Sequence, residues 1–495
     1  MTNEEEEKQK EEARKKEAKF LTDKRLVQAN PSASKATAAF VLKVDPDNYD
    51  EIKNPGAPHP SPIINAAKFE KAIGVFLDKR HLAEMFLKIQ PLYFDAARNW
   101  WIWCDEELRW LRVDETHILN LISKHSAADT INSKHRAEIL EALKQEGRKA
   151  KPKDIKKTWI QFKDVIFDIK TGERLKASPE YFVTNPLPHV LHPENYEETP
   201  IMDKIFEEWV GKDHVKTLYE IIAYCMLPDY PINRLFCFIG AGMNGKSKFL
   251  ELLRKFIGDY NCASTELDLL ISSRFEVTRL HKKLICQMGE TNFNELTNTS
   301  ILKKLTGGDM IGFEYKRADL FEDMNYAKII ISTNNLPATT DKTIGFYRRW
   351  GIVDFPNQFT EQKDILLDIP DEEYQSLGLK CCVLLKELLI DRSFHNEGSI
   401  EERQKRYEDR SNPFDKFWKE FIVESGEEDI PKWEFEKRLN EWCKANRFRE
   451  ISEVTINKKM KDKGIFEGRV RKEWYENELP VSRQVRVWNH IKWKT

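Results

Sequence analysis

Hydrophobic and polar positions change period several times along this chain, and each change predicts a different element. In INAAKFEKAIGVFLDKRHLAEMFLKI, residues 64–89, apolar residues recur at helical spacing. LYFDAARNWWIWCDEELRWLRV, residues 92–113, has aromatic-rich runs on either side of a turn at Ala96–Asn99 and predicts strand, turn, strand. Residues 133–150 predict a polar helix, WIQFKDVIFDIKTGERL a hairpin with Thr171 and Gly172 near its turn, and TNPLPHVLHP a loop. From about Met202 the pattern shifts. IMDKIFEEWV and HVKTLYEIIAYCML read as amphipathic helices, followed by the apolar run Leu235–Ile239 and the helical KSKFLELLRKFIG. Two further buried strands follow, LHKKLICQMGE at 280–290 and AKIIISTNN at 327–335. Strands alternating with helices predict a parallel α/β sheet. Beyond Phe359 the chain is helical again, and it closes on three helices and the strand pair RVRKEW and QVRVWNHIKWK, the order of a winged-helix module.

Composition refines this picture. The chain has 495 residues, 40% apolar and 33% charged, enough for a large core and for two to four domains. Residues 1–30 are a mixed charge run without an apolar stripe and read as a solvated tail, and NPGAPHPSP at 54–62 is a proline-rich break. No apolar run approaches the length of a membrane span, and the first residues lack the apolar segment of a secretory leader. The eight cysteines form no C-x-x-C pair, so thiols in a reducing, cytoplasmic compartment are expected. Net charge is -2, yet residues 432–495 hold 17 Lys and Arg against 10 Asp and Glu, a balance of 17 - 10 = +7. A basic end on a near-neutral chain points to a polyanion.

The chemistry begins after the apolar run at 235. Gly240-Ala241-Gly242-Met243-Asn244-Gly245-Lys246-Ser247 fits G-x-x-x-x-G-K-[ST]. A backbone that wraps a polyphosphate must turn its N–H groups inward, which glycine permits, and the following helix adds a favourable dipole. Lys246 is expected at the β- and γ-phosphates of ATP and the Ser247 hydroxyl on Mg2+. Hydrolysis needs an acid at the end of a neighbouring strand, and Glu290 closes LICQMGE. Asn334, ending IIISTNN, offers an amide to the γ-phosphate or the attacking water. Arg348 and Arg349 in GFYRRWGIVDF offer a guanidinium to a γ-phosphate.

With these residues in place, residues 200–360 resemble superfamily 3 helicases, specifically the phage/plasmid primase-helicase branch that includes the poxvirus primase-helicase. The matching blocks are FIGAGMNGKS, the Glu290-Thr291 end of LICQMGET, LKKLTGGDMIGFEYKRADLF at 302–321, IIISTNNLP and YRRWGIVDFPNQF. YFVTNPLPHVLHP and the Trp-rich 93–113 segment are similar to that branch's N-terminal helicase-associated region, and 410–495 to its winged-helix tail. The resemblance implies four parts. A charged tail and linker span 1–62, an α+β helicase-associated domain 63–200, an AAA+-like ATPase core 201–400 and a winged-helix domain 401–495. It implies a homo-oligomeric ring, usually hexameric, that uses ATP and Mg2+ to move 3′ to 5′ on single-stranded and forked DNA in the replication of a virus, phage or plasmid-like element. Lys246 and Ser247 fall on the Walker A positions, Glu290 on the Walker B glutamate and Asn334 on the sensor asparagine. Arg348 and Arg349 straddle the arginine-finger position, with a slight preference for Arg349. Lys316 and Arg317 fall where the family's channel hairpin presents basic side chains to DNA. Gly289 stands where an aspartate often precedes the catalytic glutamate, so that metal ligation centres on Ser247.

Other candidates weigh less. Asp45 and Asp47 lie in a proline-containing turn without further ligands, which does not suit two-metal polymerase chemistry. His189 and His192 lack companion ligands. Trp100, Trp101, Trp103 and Trp110 read as core packing rather than base stacking. In the tail, Arg447, Lys458, Lys459, Lys461, Arg469, Arg471 and Lys472 are candidate phosphate contacts to duplex DNA, the other reading being a surface for a separately encoded primase or polymerase. An initiator or loading ATPase that remodels protein or holds origin DNA without processive unwinding is the alternative function.

Overall fold

The computed structural model describes residues 79–124, 133–191, 198–289, 295–296, 298–315, 319–360, 364–446, 448, 450–476 and 479–494. They divide into two compact units. One comprises the described residues up to Trp103 together with Leu111–Lys151, the other Cys104–Trp110 with Pro152–Thr495.

Helix α1 (Lys79–Ile89) precedes strands β1 (Leu92–Phe94), β2 (Trp100–Cys104) and β3 (Arg109–Val113), and helices α2 (Glu115–Lys124) and α3 (Ser133–Lys149) follow; all belong to the first unit except Cys104, Arg109 and Trp110, which belong to the second. The strands form one sheet in the order β1-β2-β3. Phe86, Phe94, Trp100, Ile102, Ile118 and Leu143 share its core. The helical Gly147 lets α3 approach β1 closely, since a Cβ there would stand 2.5 Å from Leu92 Cδ2. The 92–113 run yields three strands where the sequence pattern predicted two. The polar stretch Asp105–Leu108 makes a second turn, with Leu108 in the left-handed region at φ 52°. Trp100, Trp101, Trp103 and Trp110 are all buried. The indole N–H of Trp101 donates to Asp95 Oδ2 at 2.8 Å and that of Trp110 to the Tyr181 carbonyl at 3.0 Å.

The second unit opens with β4 (Trp159–Gln161), β5 (Ile166–Asp168) and β6 (Arg174–Leu175), an antiparallel sheet whose last turn uses Gly172 at φ 76°. Helices α4 (Pro200–Val210) and α5 (Lys212–Cys225) lead into β7 (Leu235–Ile239) and α6 (Lys246–Ile257). Next come β8 (Cys262–Ser264), α7 (Leu267–Ser272), α8 (Arg274–Val277), β9 (Ile285–Met288), β10 (Glu295–Leu296), α9 (Ser300–Leu305), β11 (Met310–Phe313) and β12 (Phe321–Met324). The run ends with β13 (Lys328–Thr333), β14 (Ala338–Thr339), α10 (Ile344–Tyr347) and β15 (Trp350–Asp354).

Five of these strands build a wholly parallel sheet in the order β15-β7-β13-β9-β8. β7 and β13 are buried along their whole length, as strands covered on both faces must be. One face packs on Phe206, Trp209, Phe249, Leu253 and Tyr374, together with Ile160, Phe162 and Leu187 from the preceding sheet segment. The other packs on Leu280, Leu302, Phe313, Tyr347 and Tyr407.

Helix α11 (Asp371–Asp391) lies against α5 and sends Glu373 to the start of α4, where its carboxylate accepts from the amides of Ile201 and Met202 at 2.9 and 3.0 Å. That carboxylate satisfies two helix-start donors which Thr199 leaves without a side-chain cap. Helix α12 (Ile400–Ser411) starts at a capping box of Ser399 and Glu402. A separate core then gathers α13 (Pro413–Phe421), β16 (Ile422–Glu424), β17 (Ile430–Pro431), α14 (Lys432–Ala445), α15 (Glu453–Asp462), β18 (Glu467–Glu476), β19 (Leu479–Trp488) and β20 (Ile491–Trp493). Its sheets run β17-β19-β18 and β16-β20. The predicted final strand breaks at His490, φ 62°, and its second half crosses to β16.

At the foot of β13, Lys328 is completely buried. Its ammonium donates to the carbonyls of Leu227 and, at 2.8 Å, Asp229, and lies 4.9 Å from the Tyr224 ring centre. Burial pulls its pKa down to about 7. An unfolded lysine titrates near ~10.4, so between these values the unfolded chain holds a proton that the folded chain lacks. Stability therefore rises with pH from about 7 towards 10, by at most ~1.4 kcal/mol per pH unit, and the penalty is complete below the folded value. Thermal melts should show a steeper climb of Tm over this window for the wild type than for Lys328→Met; parallel slopes would refute it.

Candidate active site

The parallel register brings three strand ends level. Thr333 of β13 and Asp354 of β15 both sit opposite Ile239, the last residue of β7. In open α/β sheets ligands bind in the crevice beyond such carboxyl ends. The segment 240–245 rises from β7 there and runs straight into α6.

Its shape needs glycine at particular points. Gly242 and Gly245 have φ of 103° and 88°. Gly245 also abuts the end of α4, where an added Cβ would stand 2.4 Å from Trp209 Nε1. Gly240 leaves room for Asn244, whose side chain folds back beneath it. The Asn244 amide donates to the Phe355 carbonyl at 3.1 Å, while its oxygen accepts from Lys246 Nζ at 2.7 Å. Lys246, itself buried, also donates to the Gly240 carbonyl at 2.7 Å. The Met243 carbonyl accepts from the Phe359 amide at 2.7 Å. Two loop carbonyls and one side chain are thus turned into the protein. Among the described residues, no amide of residues 241–245 donates a hydrogen bond within the chain. Ala241, Met243 and Ser247 are exposed, so the loop's outer side meets solvent. Undonated amides on a positive-φ turn before a helix form an anion-binding concavity.

Asn334 follows directly on β13 and is half-buried next to Gly240 in the sheet order. Glu290, two positions beyond the end of β9, lies outside the described residues, and so do Lys316, Arg317, His192, Arg447 and the pair Asp45 and Asp47. Lys472 is described in its backbone only. Of the neighbouring strands, β11 and β12 pair antiparallel, and their base is fastened by His281. That ring bonds the Tyr315 hydroxyl at 2.7 Å and Asp323 at 3.2 Å, with Phe313 and Phe321 packed on it. His281 and Lys282 hold the Asp323 carboxyl well below the usual carboxylate range despite its burial. No cluster of three or more metal-ligating side chains occurs among the described residues.

The two arginines separate. Arg349 is buried. Its guanidinium donates to Thr306 Oγ1 at 2.9 Å, to the Lys303 carbonyl at 3.2 Å and to the Gly345 carbonyl, and burial lowers its pKa. Arg348 is exposed. Arg349, slightly preferred from the sequence as the finger, thus has its donors engaged within its own chain, while Arg348 faces solvent. Both precede β15, whose first residue pairs with Leu235 at the start of β7. They stand at the amino ends of these strands, opposite the end that carries the 240–245 loop and roughly 13 Å of strand away. Sequence reasoning missed the supports of the loop: Trp209 under Gly245, and Phe355 and Phe359 holding Asn244 and Met243. Nothing local marks them, since they come from helices and loops far along the chain.

A family model described as "D5 N terminal like" matches residues 80–212, and one described as a family of unknown function, DUF5906, matches 238–349. A protein of Acanthamoeba polyphaga mimivirus described as a putative helicase is 21% identical, covering 82% of this chain and 49% of that protein. The chain thus spans about half the length of this relative. Solved apo structures of the NrS-1 C-terminal region are similar at 12% and 15% identity, covering 82% and 83% of this chain and 97% and 99% of those, with TM-scores of 0.41 and 0.43. The findings fit a phage or viral primase-helicase-like protein with a mixed α/β fold around a parallel sheet. No helix among the described residues is long and apolar enough to cross a membrane, and none of the eight cysteines is in a disulfide.

The two loop glycines should differ in their tolerance of a side chain. Gly242→Ala meets only the left-handed penalty of about 1–2 kcal/mol, whereas Gly245→Ala adds the contact with Trp209. Thermal unfolding should therefore show the larger Tm loss for Gly245→Ala, and equal losses would contradict this account of the loop.

Proposed function

We propose that this chain is an ATP-driven DNA helicase subunit whose nucleotide lies on the 240–247 loop and whose turnover is completed by a neighbouring copy. The observation that carries the reading is the loop itself. Two of its carbonyls are engaged inward, the amides of 241–245 are undonated, and a buried lysine waits beside them. On this reading Lys246 leaves the Gly240 and Asn244 oxygens and moves its charge to the β- and γ-phosphates of ATP. The exposed Ser247 hydroxyl, one residue into α6, is the chain's contribution to Mg2+, which supplies charge neutralisation between the phosphates. Glu290 orients the attacking water and Asn334 fixes it or the γ-phosphate.

Arg348 supplies the finger in trans. It lies a strand's length from its own loop and points outward, so a phosphate it touches belongs to another subunit. A closed ring, hexameric by resemblance, satisfies every such contact. Lys316 and Arg317, which fall between β11 and β12 in the sequence, contact the backbone of single-stranded or forked DNA without reading bases, and movement runs 3′ to 5′. The strand order, with β13 inserted between β7 and β9, supports the AAA+-like assignment of residues 201–400. The β17-β19-β18 sheet with three helices supports a winged helix in 401–495.

Forked-DNA strand separation tests the motor. Lys246→Ala and Glu290→Gln should each abolish ATP hydrolysis and unwinding while assembly persists; ATP turnover by the wild type without any unwinding would favour the loading-ATPase alternative. Arg348→Ala should lower kcat by about 10³-fold, whereas Arg349→Ala should chiefly lower Tm. Mixing Lys246→Ala with Arg348→Ala subunits should restore part of the hydrolysis, because some interfaces then join an intact lysine to an intact arginine. A mixture as inactive as its parts would overturn the trans assignment.

A further inference from the structure

Arg348 is a long, exposed side chain, and among the described residues its guanidinium makes no hydrogen bond or ion pair. Its direction is therefore set by the backbone that carries it. That backbone is α10, a helix of a single turn, too short to hold its own shape. Helix α9 and its flanking threonines supply the hold at both ends. After α10, Arg349 donates to Thr306 Oγ1 at 2.9 Å and to the Lys303 carbonyl at 3.2 Å. Before α10, one carboxylate gathers the donors. Asp341 Oδ1 accepts from the Thr343 amide at 3.0 Å and from the Thr343 hydroxyl at 2.6 Å. Its Oδ2 accepts from the Thr299 hydroxyl and pairs with Lys303 Nζ at 2.5 Å. Lys303 Nζ also donates to Thr343 Oγ1 at 3.1 Å.

Lys303 thus meets α10 twice, through its ammonium at the entry and through its carbonyl at the exit. Thr343, the residue before α10, caps no amide of that helix with its side chain, because its hydroxyl is committed to Asp341. Burial works to raise the Asp341 pKa, yet the bonds from Lys303, Thr299 and Thr343 hold the carboxyl well below the usual carboxylate range. The clamp therefore stays charged at neutral pH. We infer that Asp341, clamped on Lys303 and Thr299, is a positioning residue that aims Arg348 at the phosphates held by a neighbouring copy. The inference rests on the trans reading of Arg348 and adds the residue that makes its reach reproducible. An arginine delivered to developing charge works within a narrow tolerance, and a misplacement of about 1 Å costs on the order of 10²-fold in rate. Tyr347 and Arg349 are enclosed, whereas Asp341 sits half-buried on a turn, so the clamp can be opened without emptying the core.

The test mixes variants of the full chain in pairs and reads ATP hydrolysis. Asp341→Ala should lower kcat on the order of 10²-fold with KM for ATP unchanged, since the loop that binds the nucleotide is untouched. Mixed with Lys246→Ala, it should regain part of the hydrolysis, because some interfaces join its intact lysine to a correctly seated arginine. Mixed with Arg348→Ala, it should regain none, because no interface then holds an arginine on an intact seat. Simple destabilisation would show no such dependence on the partner. Asp341→Asn, which keeps an oxygen for Thr343 and loses the charge facing Lys303, should show the same partner dependence with a smaller loss, and it carries the test if the Ala variant does not fold. Recovery with Arg348→Ala, no recovery with Lys246→Ala, or a raised KM at unchanged kcat would overturn the inference while Lys246→Ala and Arg348→Ala still restore each other. Absence of that mutual restoration would sink the trans reading, and this inference with it.

Discussion

Parallel pairing of β7 with both β13 and β15 is the constraint on which the rest of the structure depends. It sets Ile239, Thr333 and Asp354 level, so that the loop after β7 and the asparagine after β13 meet at the carboxyl ends of the strands. The same pairing sends Arg348 and Arg349 to the amino ends, because they precede a strand that the loop's strand runs alongside. A register slip of one residue would exchange the faces of a strand buried on both sides and is strongly opposed by packing. The separation of loop from arginine is therefore built into the core rather than into a mobile surface, and it makes self-association part of the proposed chemistry.

The loop is prepared before any ligand arrives. Lys246 is a buried cation whose desolvation is offset by the Gly240 carbonyl and the Asn244 oxygen, and Asn244 is in turn held by Phe355 just past β15. On the proposed reading the undonated amides of 241–245 are the preorganised donors, which act without reorganising, whereas Lys246 exchanges its present partners for phosphate oxygens. Beneath the loop, Trp209 closes α4 against Gly245, while the other end of α4 is capped by Glu373 from α11. The site is thus supported from two places well separated in sequence.

How much of this could be read from the sequence depended on how local the cause was. LFCFI and the Ile329–Ile331 run of β13 were legible because strands covered on both faces carry continuous apolar runs. β8 was not, since Cys262-Ala263-Ser264 is three small residues whose strand character comes wholly from pairing with β9. The third strand at 109–113 and the break at His490 were missed for another reason, because both hang on a non-glycine residue at positive φ that composition does not announce. The phosphate-loop residues were legible as a motif, but their supports Trp209, Phe355 and Phe359 were not. The choice between Arg348 and Arg349 was beyond any pattern. Adjacent residues at the end of a one-turn helix point in different directions, and only the packing of α10 against Thr306 and Lys303 decides which is enclosed.

The inward hold on Lys246 has a consequence for the close of a catalytic cycle. On the proposed reading, departure of the cleaved phosphate does not strand a bare ammonium in a dry crevice. The side chain has a resting berth on Gly240 and Asn244, so losing one set of oxygens is an exchange for another. Such a swap lowers the cost of letting spent nucleotide go. It also ties that moment to Phe355, at the exit of the strand that carries Arg348 at its entrance, so that a vacated pocket and its neighbour-facing arginine are joined by a single stiff rod of backbone.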